Sequence, residues 1–381
     1  MRRFGTPRRA LSLAAAALAM LGLAAGAGVS APAQAASTPV TIRGADISTL
    51  KKSVDKGGVY FDSSGVRRNA LDILQSNGVN FARLKIWVNP ADGYNNRARV
   101  LDMARQIKSR GMKLLIDFHY SDTWADPGHQ AKPAAWASLS FAQLQTAVHD
   151  YTADVLGSLR AQGTAADMAQ IGNEINGGML WPDGSSSNWP NLAALLKAGI
   201  GGARSASSGT KIMLHIANGG DNAGTRWWFD NAVANGVPFD VIGLSHYVYW
   251  HGTLAALQAN LNDVAARYGK PVMVAETAYG FTLAEKDAEP NIFNASLQRV
   301  GGYPATPEGQ ASMLRHVFDV VRSVPNGRGL GVFYWEPTWT AVAGNGVDPA
   351  NPRSGDVWEN QAMFDYSNRA LPVMSVFADY R

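Results

Sequence analysis

Two glutamates are the residues of this sequence best placed to do chemistry. Glu174 follows the apolar run 168–171, and Glu276 follows the apolar run 271–274. An ionisable group at the end of a buried strand is costly unless a partner neutralises it or catalysis uses it. Two such carboxyl groups, about 5–5.5 Å apart, are typical of the acid/base and the nucleophile of a retaining glycosidase.

We predict that Glu174 is the general acid and, later in the reaction, the general base. Protonation of a leaving oxygen near neutral pH requires a raised pKa, which an apolar wall and a second carboxylate would provide. Asn173 is predicted to donate a hydrogen bond to the 2-hydroxyl of the sugar. A purely structural alternative, in which Glu174 only pairs with Arg83 in the core, stays open.

We predict that Glu276 is the nucleophile. It must stay ionised, and the candidate donors to its oxygens are Arg83, Tyr247 and His246. The structural alternative is a core glutamate that accepts a hydrogen bond from a backbone amide.

Polar or aromatic residues stand near the ends of seven of the eight predicted strands. A structural hydrogen bond explains any one of them, but the repetition favours a site. We predict that the residues that bind substrate are Asp46, Arg83, Trp87, His119, Asn173, His246, Tyr247 and Trp335. Trp335 is expected beneath the sugar at the point of cleavage. Further sugars are expected on tryptophans near the strand ends, namely Trp87, Trp124, Trp181, Trp250 and Trp339.

Other chemistries lack their residues. The chain has no cysteine, so thiolate catalysis and thiolate metal sites are excluded. Its seven histidines form no His-Glu-x-x-His pattern, and His119, His129, His246 and His251 would bind zinc only by an accident of the fold. Neither a Gly-x-Ser-x-Gly elbow nor a phosphate-binding loop occurs. We therefore predict neither a metal ligand set nor a cofactor.

The chain alternates short apolar strands with amphipathic helical segments, which implies a parallel sheet. Strands are predicted at 41–47, 79–87, 112–119, 168–174, 211–217, 240–247, 271–276 and 329–335. Helices are predicted at 66–77, 97–110, 140–161, 190–206, 226–235, 253–268, 307–323 and 370–379. Eight such units predict a (β/α)8 TIM barrel, with a doubly wound open sheet as the alternative.

The segments that follow the predicted strands are longer than those that precede them. The long ones are 120–139, 175–189, 218–225, 277–306 and 336–366. In a barrel these loops lie at the C-terminal face, where active sites are built. Glu174 and Glu276, three strands apart, would face each other there.

The first 35 residues are predicted to be a signal peptide that is removed on export. Four arginines precede an apolar stretch and a small-x-small cleavage site at 33–35. The rest of the chain, 36–381, then carries 30 basic and 30 acidic residues and is predicted to be a single catalytic domain. This balance gives no argument for nucleic acid or a membrane as a partner. We expect a secreted, extracellular monomer that acts on a polysaccharide.

The sequence resembles the arabinogalactan endo-β-1,4-galactanases of glycoside hydrolase family fifty-three, in the clan of (β/α)8 retaining glycosidases. The similarity covers nearly all of the chain after residue 35. Its segments are 44–48, 80–90, 117–130, 170–175, 245–247, 275–279 and 334–337, of which 122–130 is especially specific to the family. The motifs around Glu174 and Glu276 alone would identify only the clan.

The resemblance implies endo-hydrolysis of β-1,4-galactan, the side chains of type I arabinogalactan and pectin. Glu174 matches the family's acid/base and Glu276 its nucleophile. Two alternatives stay open: a clan relative that cuts mannan, xylan or cellulose, and a barrel that binds glycan without cleaving it.

Some bacterial members of the family hold calcium between the loops after strands seven and eight, here 284–291 and 354–360. The first of these loops keeps oxygen ligands, but it includes Lys286 and lacks the glycines that let a loop wrap a cation. The sequence leaves calcium open.

Overall fold

The computed structural model describes residues 39–381, which form a closed barrel of eight parallel strands. The strands are β1 Ile42–Asp46, β2 Phe81–Ile86, β3 Lys113–Phe118, β4 Met168–Ile171, β5 Lys211–Ile216, β6 Val241–Ser245, β7 Val272–Thr277 and β8 Gly329–Trp335. Each strand pairs with its neighbour in sequence, and β1 pairs with both β2 and β8 to close the ring. The predicted fold class is confirmed. The predicted signal peptide, 1–35, lies outside the described residues.

The α-helices of the described chain surround the barrel and follow the predicted pattern with two additions. They are α1 Leu50–Asp55, α2 Ala70–Ser76, α3 Arg97–Lys108, α4 Phe141–Ala161, α5 Trp189–Ala206, α6 Asn222–Ala234, α7 Leu254–Tyr268, α8 Ala295–Gly301 and α9 Pro307–Arg322. The short helices α1 and α8 lie within loops where no helix was predicted. No helix in this part of the chain is both long enough and apolar enough to cross a membrane.

The last predicted helix, 370–379, is a 3-10 helix over Pro372–Tyr380. The ring of Tyr380 stacks on Phe318 of α9, with the two ring centres 4.7 Å apart. The ring of Phe377 packs edge-on against the same phenylalanine. These tertiary contacts stabilise a 3-10 helix, which is wound more tightly than the α-helix that the sequence pattern predicts.

Side-chain caps fix where several helices begin. Ser140 and Gln143 form a capping box at the start of α4. Thr253 accepts a hydrogen bond from the N–H of Ala256 at the start of α7, and Thr306 caps α9 just before Pro307. Because the caps start each helix at a defined residue, they also fix the lengths of the loops at the barrel mouth.

The interior of the barrel has an apolar layer below a polar one. The apolar layer comprises Ile42, Phe81, Leu115, Met168, Met213, Val241, Met273 and Phe333. Even steps along a strand keep side chains on one face, so the residues two or four positions later also point inward. These form the polar layer: Asp46, Arg83, Lys85, Asp117, Gln170, His215 and Ser245. The polar layer is the floor of the site.

Candidate active site

The C-terminal ends of the strands surround a cavity of about 380 Å³. Most of the predicted site residues line it, namely Asp46, Arg83, His119, Asn173, Glu174, Tyr247, Glu276 and Trp335. Trp87 and His246 do not line it. The structure thus brings residues from seven different strands or strand ends to one cavity.

The backbone turns sharply after β4 and presents Glu174 to the cavity. The strand ends at Ile171, three residues before the end predicted from sequence, because Gly172 takes a positive φ of 84°. Glu174 also has a positive φ, 47°, in the left-handed region that costs a non-glycine residue about 1 kcal/mol or more. If the strand had continued, the side chains of Asn173 and Glu174 would point to opposite faces of the sheet. The turn instead places both of them at the cavity.

Arg83 is the cation at the centre of the polar layer and is 1% exposed. Its Nη1 lies 2.6 Å from Asp46 Oδ2, and its Nη2 lies 2.9 Å from Asp117 Oδ2. The same Nη2 donates to Asn173 Oδ1 at 2.8 Å, and Nε donates to Gln170 Oε1 at 3.1 Å. Arg83 therefore fixes the orientation of both amides as well as compensating carboxylate charge.

Glu276 is held by one ion pair and one hydrogen bond. Arg83 Nη2 lies 2.8 Å from its Oε1, and the Tyr247 hydroxyl donates to its Oε2 at 3.0 Å. Both contacts favour the ionised carboxylate. Among the described residues, Glu174 makes no ion pair.

The two glutamates are coupled through charge. Burial raises the pKa of Glu174 and the pKa of Glu276. For Glu276, the positive charge of Arg83 opposes this effect, and the negative charge of Glu174 adds to it. The pair therefore holds one proton more readily than two free carboxylates would. The contacts of the two carboxyl groups differ: Arg83 and Tyr247 stabilise negative charge on Glu276, and no described residue forms an ion pair with Glu174.

Trp87 supports the site from behind the cavity wall. Its Nε1 and the backbone N–H of Ala125 both donate to His119 Nδ1, at 3.2 and 3.1 Å. His119 Nδ1 is consequently the acceptor nitrogen, and Nε2 carries the hydrogen that it donates to Asp117 Oδ2 at 3.0 Å. Asp117 thereby joins Arg83 to the cavity histidine.

His246 lies in the wall with no exposed surface, and neither ring nitrogen has a hydrogen-bond partner. Burial lowers the pKa of His246 to about 3, so the ring is neutral. It lies beside His251, whose ring centre is 6.3 Å away. The Glu276 carboxylate is therefore bound by Arg83 and Tyr247 rather than by His246.

Tryptophans form much of the remaining cavity surface. Trp124, Trp250 and Trp339 line the cavity, whereas Trp181 does not. Trp358, not singled out from the sequence, also lines it and meets Trp335 edge-on with ring centres 4.6 Å apart. Trp250 is 47% exposed at the rim.

Lys85, Asp117 and Asp126 also line the cavity, although none of them was among the residues predicted to bind substrate. Lys85 Nζ lies 2.9 Å from Glu336 Oε1 and 4.0 Å from the centre of the Trp124 ring. Strand alternation could have found Lys85, because it is two residues after Arg83 on the same inward face. Asp126 lies in a loop, where no periodicity predicts direction.

The loops at 284–291 and 354–360, where the sequence leaves calcium open, are joined through their carboxylates. Glu359 Oε1 accepts hydrogen bonds from the backbone N–H groups of Lys286 and Asp287, and Asp287 accepts from the N–H of Asp356 at 2.8 Å. Burial raises the pKa of Asp356 well above its usual range, and Asp356 Oδ2 and Glu359 Oε2 are buried without a hydrogen-bond partner among the described residues. Within residues 39–381 no group of three or more histidine, aspartate or glutamate side chains is arranged to hold a metal ion. The loops are joined by hydrogen bonds to their carboxylates instead.

Comparisons with known proteins agree with this geometry. The GH53 catalytic domain of Ignisphaera aggregans has a TM-score of 0.86 and is 42% identical, over 88% of this chain and 95% of that one. A structure from a study of two fungal β-1,4-galactanases has a TM-score of 0.78 and is 36% identical, over 89% of this chain and 99% of that one. A probable arabinogalactan endo-β-1,4-galactanase A of Aspergillus terreus is 38% identical, over 82% of this chain and 89% of that protein.

A sequence model of one enzyme family spans almost all of the described chain. Glycosyl hydrolase family 53 matches residues 42–377, from the first barrel strand to the C-terminal 3-10 helix. With the polar cavity at the barrel mouth and the relatives above, this match shows that the chain is a glycoside hydrolase that belongs to glycosyl hydrolase family 53.

Proposed function

We propose that this protein is a secreted, retaining endo-β-1,4-galactanase that cleaves the galactan side chains of type I arabinogalactan and pectin. The relatives named as arabinogalactan endo-β-1,4-galactanases, from Aspergillus terreus and Thermothelomyces thermophilus, support the substrate. The site residues support the mechanism.

The observation that carries the proposal is the different support given to two carboxyl groups in one cavity. Glu276 forms an ion pair with Arg83 Nη2 at 2.8 Å and accepts a hydrogen bond from the Tyr247 hydroxyl at 3.0 Å, whereas Glu174 has no cationic partner among the described residues. When the environments of two acids push their pKa values apart, one acid is assigned as nucleophile and the other as proton donor.

In the first step Glu276 attacks the anomeric carbon while Glu174 transfers its proton to the glycosidic oxygen. The bond from that carbon to the leaving oxygen breaks, and an ester between the sugar and Glu276 forms. Asn173 gives one of its amide hydrogens to the Ala125 carbonyl at 2.8 Å, which leaves the other for the 2-hydroxyl of the sugar.

In the second step Glu174, now ionised, removes a proton from water as the water attacks the same carbon. The ester to Glu276 breaks, and Glu174 regains the proton that it donated. Two inversions give net retention. Arg83 and Tyr247 again stabilise the carboxylate of Glu276 as it leaves.

A panel of purified polysaccharides tests the substrate. Release of reducing ends should be fastest from β-1,4-galactan, compared with mannan, xylan and carboxymethyl cellulose, and the first product seen by proton NMR should be the β-anomer. Preference for another glycan would contradict the substrate but leave the mechanism standing. Binding without release of reducing ends would contradict both.

Replacement of the nucleophile tests the mechanism. Glu276→Ala should reduce kcat on galactan by about 10⁴-fold or more, because the covalent route is lost. Azide should restore turnover and give a glycosyl azide of inverted configuration, because the small anion enters the space that the carboxylate vacated. Trp250→Ala at the rim is the control and should change KM more than kcat. Near-normal activity of Glu276→Ala would end the proposal.

A further inference from the structure

A second, smaller cavity lies beside the active site and takes no part in the mechanism given above. It has a volume of about 180 Å³ and is lined by residues that follow β4 and β5 and by the first turns of α6. Ala217 lines both this cavity and the active site, so the two cavities are neighbours. We call the smaller one the side cavity.

The side cavity borders the segment that directly follows Glu174. Asn176 lines it and is bound to the strand end opposite: its Oδ1 accepts from the N–H of Ala217 at 2.7 Å, and its Nδ2 donates to the Ala217 carbonyl at 3.2 Å. From α6, Trp228 Nε1 donates to the Ile175 carbonyl at 2.8 Å. These contacts fix the side cavity next to the proposed acid/base.

The position of Glu174 decides which part of a substrate would reach the side cavity. A general acid must lie within hydrogen-bond reach of the oxygen that it protonates. The sugar that carries this oxygen after cleavage is the leaving sugar, and the rest of the leaving chain runs from it to the reducing end. The side cavity therefore lies toward the reducing end of a bound glycan.

Trp227 forms an aromatic wall of the side cavity. Its side chain is 50% exposed, whereas Trp228 beside it is 1% exposed. Trp189, the first residue of α5, packs edge-on against both, with ring centres 6.0 Å from Trp227 and 5.2 Å from Trp228. Trp227 is thus an indole supported from behind and open to solvent in front, where the C–H groups of a sugar ring can pack against it.

Polar side chains complete the side cavity. Asn218 and Asp221 line it and are exposed. Asp221 Oδ1 accepts from the N–H of Gly224 at 2.9 Å as the cap of α6, so the cap uses only one of the two carboxylate oxygens. Amide and carboxylate groups beside an aromatic face are typical of a site that binds a small polar ligand in one orientation.

We propose that the side cavity binds a galactosyl unit of the leaving chain, beyond the sugar next to the cleaved bond. Trp227 is the stacking surface, and Asn218 and Asp221 are the hydrogen-bond partners of the sugar hydroxyls. The proposal rests on the proposed function, which supplies the substrate and the role of Glu174. Binding there favours cleavage of bonds that have several sugars on the reducing-end side.

The test is the cleavage pattern of galactohexaose labelled with ¹⁸O at its reducing end. In Trp227→Ala, binding modes that fill the side cavity lose a contact, so cleavage should move toward the reducing end and the labelled products should become shorter. kcat/KM on the hexaose should fall about 3- to 10-fold. An unchanged pattern, or a shift toward the non-reducing end, would overturn the proposal.

Matched variants separate sugar binding from an effect on the fold. Val233→Ala removes another exposed apolar side chain of α6 that lines neither cavity, and it should change neither the pattern nor kcat/KM. Trp227→Phe keeps an aromatic ring and should retain most of the natural pattern.

A short substrate provides the second measurement. In an aryl galactobioside the leaving group is a single ring next to the cleaved bond, so it does not extend to the side cavity. Trp227→Ala should leave kcat/KM on this substrate unchanged. An equal fall on the short and the long substrate would show that Trp227 acts through the fold, and would overturn the proposal.

The two proposals fail in different ways. If the polysaccharide panel shows preference for another glycan, the galactan assignment is wrong, and the labelled hexasaccharide and aryl glycoside of that glycan are used instead. The cleavage pattern of Trp227→Ala on them then decides the role of the side cavity by itself.

Discussion

The two glutamates of the candidate site are largely removed from solvent: Glu174 is 9% exposed and Glu276 is 5% exposed. Burial disfavours the charged form, so each carboxyl group has a higher pKa in the folded protein than in the unfolded chain. Such a group binds its proton more tightly when folded. Its contribution to stability is then fully present below the unfolded pKa and declines as pH rises toward the folded pKa. At neutral pH the pair therefore lowers the stability of the fold, a cost that the proposed catalytic roles explain.

Glu174→Gln should be more stable than the natural protein at pH 8, by about 1 kcal/mol or more, and nearly equal to it at pH 4. Glutamine keeps the shape of the side chain but needs no proton to be neutral, and its loss of charge also relieves Glu276. Urea unfolding at several pH values measures the difference. Asp230→Asn, which removes an exposed ion pair with Arg267, is the surface control and should not become more stable at pH 8. The same stability difference at both pH values would contradict the argument.

At the scale of elements, the turn after β4 connects backbone conformation to catalysis. A Cβ atom added to Gly172 would lie 2.7 Å from Ile175 Cγ2, and the positive φ of 84° adds strain for any other residue. Gly111 also has a positive φ, 71°, but an added Cβ would meet nothing within 4 Å. Substitution of Gly111 would therefore cause backbone strain alone, whereas substitution of Gly172 would cause backbone strain together with a steric clash.

Gly172→Ala should lower the free energy of unfolding by about 2 kcal/mol or more and reduce kcat at least ~10-fold, because Glu174 follows two residues later. Gly111→Ala should cost about 1 kcal/mol and leave kcat unchanged. Thermal unfolding and initial rates on galactan measure both effects. Equal effects of the two variants on kcat would show that the turn does not position Glu174.

The loops after β7 and β8 are a second element whose contacts make a prediction. Glu359 joins them by accepting from the N–H groups of Lys286 and Asp287, and Asn360 Nδ2 donates to the Phe293 carbonyl at 2.8 Å. These bonds join the two loops directly.

A chelator should therefore leave the melting temperature within about 1 °C, whereas Glu359→Gln should lower it by a few degrees through loss of charge-assisted hydrogen bonds. Differential scanning calorimetry with and without EDTA, and with added calcium, checks this. A large fall with EDTA that calcium reverses would show that the loops bind the ion after all.

At the scale of the whole molecule, the barrel is closed by its first and last strands. Asp46 on β1 pairs in register with Arg83 on β2 and with Trp335 on β8, so the strand that closes the ring also delivers a site residue. Loss of β1 would open two neighbouring strand edges and remove one of the carboxylates that compensate Arg83.

A chain that begins at Ala36 should fold and cleave galactan as the full chain does, because the barrel starts at Ile42. A chain that begins at Ser48, without β1, should not fold, because a barrel cannot close on seven strands of this register. Circular dichroism and activity measure both. Retained activity without β1 would contradict the assigned role of closure.

The order of strands and helices could be predicted because their hydrophobic periodicity is local. The periods that mark strands and helices are present in short windows of this sequence, and so are the caps Thr253 and Thr306. The strand ends were predicted less well. The strand predicted at 168–174 ends at Ile171, because Gly172 adopts a positive φ that depends on the turn and on its packing against Ile175.

By itself the sequence determined the barrel, the mouth at which the site lies and the two glutamates, because side chains at the ends of parallel strands must converge. Only the tertiary structure decided which neighbours meet them. Arg83 contacts Glu276 across the barrel, Trp87 turns behind His119, and His215 reaches the backbone of Glu174. Those contacts join residues on different strands, and their protonation depends on burial and on nearby charge. These quantities exist only once the chain has closed on itself, since pKa and tautomer are properties of an environment rather than of a residue.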